Sequence, residues 1–136
     1  YVATVNNAIE GDATWSFKDD TDKASENYFV YDDSAISPSL TFNKLTLTDN
    51  GQGVVANNGD WLKFNTGAQA SFEIAKPGTL AISFYQDKNN VEVKLDGEVV
   101  AVNADGTYSL TKAGVVTITA TANGYLGKIL TQFKAQ

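Results

Sequence analysis

The chain has 136 residues, 43% of them hydrophobic and 19% charged, a formal net charge of -6, and no Cys, Met or His. That size and balance fit one globular domain able to bury a core without disulfides or metal, and they exclude thiol and zinc-thiolate chemistry. All ten basic residues are Lys, so no bidentate guanidinium fork exists, and the acidic balance argues against a nucleic-acid partner, whose phosphates need clustered cations.

In chain order, the first credible strand is Ala13–Lys18, with Trp15 and Phe17 on one face. The polar, acidic stretch Lys18–Asn27 reads as a loop and Tyr28–Tyr31 as a short aromatic strand. Leu40–Phe42 and Leu45–Leu47 are apolar but out of phase, which predicts a bulge or tight turn around Asn43. Asn57-Asn58-Gly59-Asp60 turns the chain into Trp61–Phe64. From residue 70 onward apolar and polar residues alternate with period two: Ala70, Phe72, Ile74; Leu80, Ile82, Phe84; Val91, Val93, Leu95; Val116, Ile118, Ala120. Lys76-Pro77-Gly78, Asp96-Gly97, Asp105-Gly106, Ala113-Gly114 and Asn123-Gly124 punctuate the runs, and Asp96-Gly97 is a strong two-residue hairpin signal. Short strands at this spacing, with no long helical period, predict an all-β fold: a two-sheet antiparallel β-sandwich of the jelly-roll kind. No apolar run approaches the roughly 20 residues that cross a bilayer, so no membrane partner is expected.

If successive strands reverse direction, the connecting loops alternate between the two ends of the sandwich. The loops at 65–69, 86–90, 103–106 and 122–125 then share one end, and the Gly turns at 76–78, 96–97 and 112–114 share the other. The first end collects Asn65, Gln69, Gln86, Asn89, Asn90, Asn103, Asn123 and Tyr125, with Tyr85 and Lys88 nearby. Amides donate and accept at once, which suits vicinal hydroxyls, and aromatic faces suit the C–H faces of a sugar ring. Asn is also a common turn residue that bonds its own backbone, so each amide has a purely structural reading beside the binding one.

Trp61 and Lys63 share one face of their strand, and Leu62 and Phe64 the other. Lys63 marks its face as the wetter one, so Trp61 is either an exposed platform or a half-buried ring beside a snorkelling Lys63. Tyr85 faces away from Leu80, Ile82 and Phe84 and is the best candidate for an exposed aromatic ring. The acidic residues Asp19, Asp20, Asp22, Glu26, Asp32 and Asp33 could supply oxygen ligands to calcium, but they lack the spacing and central Gly of an EF-hand loop, so no cofactor is assigned. Without His there is no base for a nucleophilic triad, and no Gly-rich phosphate loop precedes a helix. No catalytic residue is assigned.

Three stretches carry a family resemblance: Asn58–Phe64; Lys76–Leu80 with Val93–Gly97; and Lys112–Thr119 through Lys128-Ile129. In order and spacing they resemble galactose-binding-like jelly-roll modules, especially carbohydrate-binding modules of families 6 and 35. Pectin-binding modules of family 77 share this general look. The resemblance covers about half the chain, and the first 56 residues match poorly. It implies a non-catalytic module of a secreted bacterial enzyme, cellulosomal or otherwise, that degrades plant cell-wall or storage polysaccharide, with a sugar cleft made by loops at one end and an Asn before the last strand. Asn123 occupies that position. Where those families often carry an acidic residue of a structural calcium site, this chain has Gly127. The expected ligand residues are Tyr85, Lys88, Asn89, Asn90, Asn123, Tyr125, Trp61 and Lys63; the expected partner is a polysaccharide or oligosaccharide, bound by a monomeric module within a longer, secreted multidomain protein. The competing expectation is a structural or adhesion domain of a bacterial surface protein with no glycan site.

Overall fold

The computed structural model describes residues 8–9, 11–17, 28–30, 39–49, 54–55, 62–85 and 90–133. They form thirteen strands and, among the described residues, no α-helix. One sheet has the order β11-β8-β13-β1-β2: Tyr108–Leu110, Gly78–Phe84, Gly124–Phe133, Ala13–Ser16 and Tyr28–Val30. β6 (Leu62–Phe64) also joins β13 in this sheet, and β5 (Val54–Val55) joins β6. The other sheet has the order β10-β9-β12-β7-β4-β3: Glu98–Val100, Val91–Leu95, Gly114–Ala120, Gln69–Ile74, Leu45–Thr48 and Ser39–Phe42. Every strand pair is antiparallel except β1 and β2, which run parallel with Trp15 beside Phe29.

The two sheets pack face to face as a sandwich, and the alternating apolar positions are the glue. Val93 and Leu95, Val116 and Ile118, and Ala70, Phe72 and Ile74 are buried from the second sheet; Leu62, Leu80, Leu126 and Ile129 are buried from the first. Trp15 and Phe17 join them at the centre. The Trp15 ring lies 5.0 Å from Phe72 across the interlayer and 6.4 Å from Phe29 beside it, and Phe17 meets Phe42 edge-on at 6.0 Å. Such pairs add roughly 0.5–1.5 kcal/mol beyond area burial.

The turns follow their local chemistry. Asn43 and Lys44 both take positive φ, 49° and 71°, so of the bulge or tight turn expected around Asn43 it is a two-residue hairpin turn that forms between β3 and β4. Asp96 and Gly97 do the same at 51° and 84°. Asp96 then reaches across to accept the Val115 N–H at 2.8 Å and pair with Lys112 at 3.8 Å, tying two turns of the same end together.

Along β13 the strict alternation breaks. Leu126 and Ile129 are both buried although three residues apart, so the strand needs one extra residue between them. Gly127 supplies it: the register on β8 slips between Leu126 and Lys128, and the Gly127 carbonyl oxygen accepts the Phe17 N–H at 2.8 Å. This bulge lets Tyr125 face outward while Ile129 stays in the core. No helix among the described residues is long and apolar enough to cross a membrane.

Candidate functional site

The strand registers bring β6, β13 and β8 side by side at one end of the first sheet. Leu126 pairs with Leu62 on one side and Phe84 on the other, and all three are core residues or packed against it. The residues one step toward the loops therefore face out: Lys63 lies directly opposite Tyr125, and Tyr85 follows Phe84 at the end of β8. Lys63 is exposed, Tyr125 is half-buried and Tyr85 is 42% exposed. The two tyrosine rings meet edge-to-face, with centroids 5.9 Å apart and planes at 76°. The pair forms an aromatic corner on the outer face of the sheet, with an ammonium group on the neighbouring strand.

Two amides sit at the adjoining loops. Asn90 precedes β9, and its backbone carbonyl accepts the Thr121 N–H at 2.8 Å while its Nδ2 donates to the Asn123 carbonyl oxygen at 3.4 Å. Gly124 leaves room for this approach, since a Cβ there would stand 3.3 Å from Asn90 Nδ2. The Asn123 Oδ1 accepts two bonds from Thr66, the backbone N–H at 3.0 Å and the hydroxyl at 3.1 Å. Tyr85, Asn90, Asn123, Tyr125 and Lys63 thus come together at one end. Trp61, Lys88 and Asn89 lie outside the described residues, as do Gln86 and the acidic run from Asp19 to Asp33.

Other polar residues expected at this end do structural work instead. Asn103 spends its amide on its own turn, donating to Thr107 Oγ1 at 3.2 Å and Ser109 Oγ at 2.9 Å. In the same turn Asp105 accepts the Thr107 hydroxyl at 2.6 Å and the Thr107 N–H at 3.0 Å. The hydroxyl bond first, and the backbone bond second, hold the Asp105 carboxyl below the ordinary aspartate value of 3.8. Gln69 donates to Thr119 at 3.2 Å on the face of the second sheet. Sequence reasoning overlooked Thr66. Thr66 carries no amide, yet its hydroxyl and backbone N–H hold the Asn123 side chain of the neighbouring loop.

Gly127 offers no carboxylate where the resembled families often carry a calcium ligand, so that metal site does not fit this strand. Among the described residues no group of three acidic side chains could hold a metal ion.

No protein-family model matches the chain, and comparison with curated proteins finds no relative.

Proposed function

We propose that this domain is a non-catalytic carbohydrate-binding module that targets a plant cell-wall or storage polysaccharide on behalf of a secreted bacterial enzyme. The observation that carries the reading is the Tyr85–Tyr125 corner: a ring 42% exposed at a strand end, braced edge-on by a half-buried partner. An exposed ring on a rigid sheet presents an apolar face to sugar C–H groups at little entropic cost. Lys63, Asn90 and Asn123 add polar groups at the same end of the sandwich. The plant-polysaccharide context comes from the resemblance to families 6, 35 and 77. Affinity electrophoresis of the whole chain against soluble neutral glucans, mannans, xylans and polygalacturonate, with and without chelator, tests the proposal. Retardation by at least one gel supports it; free migration through all of them contradicts it.

A second reading, a structural or adhesion domain of a surface protein, draws on the amides already committed within the fold. Asn103 holds its own turn, and Asn90 straps two loops together. It predicts no retardation by any glycan gel together with tight binding to a protein partner.

A further inference from the structure

We infer that Thr66 is a positioning residue whose two donors fix the Asn123 amide so that Asn123 acts on its ligand only as a hydrogen-bond donor. The inference rests on the carbohydrate reading of this end of the sandwich and specifies its chemistry.

An unrestrained asparagine amide offers a carbonyl acceptor and an NH2 donor and can turn either one outward. Asn123 has no such choice. The Thr66 backbone N–H can only donate, so the atom facing it at 3.0 Å must be Oδ1. The Thr66 hydroxyl adds a second bond to the same oxygen at 3.1 Å. Both acceptor positions of Oδ1 are then occupied. The Asn123 backbone is anchored as well, because its carbonyl oxygen accepts Asn90 Nδ2 at 3.4 Å. What remains is Nδ2: Asn123 is exposed, and its NH2 group has no hydrogen-bond partner among the described residues.

The neighbouring groups point to the same chemistry. Lys63, beside Tyr125 on the adjacent strand, is also donor-only and lies outside both ion pairs found among the described residues. The β6–β13 side of the corner therefore presents two donor-only groups, which match an acceptor oxygen of the ligand: a hydroxyl, ring or glycosidic oxygen of a neutral sugar, or the carboxylate of a uronic acid. A ligand group that must donate at that point is rejected, because it would meet an NH2 that cannot accept.

Three substitutions in the whole chain test this on whichever polysaccharide gel retards the wild type, with neutral glycans and polygalacturonate as separate arms. Asn123→Asp keeps an oxygen for both Thr66 donors but replaces the donor with a charged acceptor. It is expected to fold with an unchanged unfolding midpoint and to bind about tenfold more weakly, the loss of one polar contact. The loss is expected to be larger on polygalacturonate if the acceptor is a carboxylate and similar across gels if it is a neutral oxygen. Thr66→Val, which removes the hydroxyl, is expected to weaken binding about threefold, and Thr66→Ser to restore it. Wild-type affinity in Asn123→Asp, or failure of Thr66→Ser to rescue, would overturn the inference while leaving the carbohydrate reading intact. A wild-type chain retarded by no gel would overturn both. A ligand-independent check is the 15N spectrum of the labelled chain: the Asn123 NH2 signals should exchange with water at an exposed rate and shift in Thr66→Val, and protected, unshifted signals would contradict the fixed amide.

Discussion

The indole N–H of Trp15 donates to the backbone carbonyl oxygen of Asn43 at 3.0 Å, joining a central strand of one sheet to a hairpin turn of the other. The fully buried ring thus has its one polar atom satisfied at the edge of the core. Trp15→Phe deletes that bond and leaves a void against Phe72. We expect a loss of about 2 kcal/mol, seen as a lower urea midpoint with an unchanged slope.

Lys44 occupies the left-handed region at φ 71° in the same turn. An L-residue there costs about 1–2 kcal/mol, partly offset in a glycine variant by the greater freedom of its unfolded chain. Lys44→Gly should therefore raise stability by about 0.5 kcal/mol despite losing the 3.4 Å bond from Lys44 Nζ to the Ala8 carbonyl. A destabilised variant would mean that this bond outweighs the backbone strain.

Gly78 begins β8 under the end of β13, where a Cβ would stand 2.6 Å from both the Gln132 carbonyl oxygen and the Phe133 ring. The carbonyl belongs to a paired strand and cannot swing aside. Gly78→Ala is expected to cost about 2 kcal/mol by overpacking, measured by thermal or urea unfolding.

The 103–107 turn should respond to acid. The folded Asp105 carboxyl lies below its ordinary value, so its bonds to Thr107 contribute in full above about pH 3.8 and are lost as pH falls through the lower folded value. The Thr107 amide resonance should stay constant from neutral pH down to that point and then shift as the turn loosens. A midpoint above the ordinary aspartate value would contradict the sign.

Much of the fold is legible in local chemistry. Period-two runs became strands with the named apolar residues buried or, for Ile82, Phe84 and Val91, half-buried against the core, and Asn43 and Asp96-Gly97 became hairpin turns because those residues tolerate positive φ. Of the loops expected at one end, 65–69, 86–90, 103–106 and 122–125, the described residues Thr66, Asn90 and Asn123 meet through hydrogen bonds. There the β6–β7, β8–β9 and β12–β13 connections cross between the sheets rather than join paired strands. Other features depend on partners distant in sequence. The parallel match of β1 with β2 has no turn signal. The Gly127 bulge emerges only from the need to bury both Leu126 and Ile129. Asn123 was legible as a polar loop residue, but the direction of its amide depends on Thr66, 57 residues earlier. Asn103 and Gln69 show the reverse: amides suited to a ligand whose NH2 groups already donate to neighbours.

The central claim is that the Tyr85 ring contacts a glycan and contributes little to folding. Its most direct measurement compares Tyr85→Ala with the wild-type chain in affinity electrophoresis on the retarding polysaccharide and in calorimetric unfolding. Retardation abolished, with a stability change under about 1 kcal/mol, is the predicted result. Unaltered retardation, or unfolding of the variant, would contradict it.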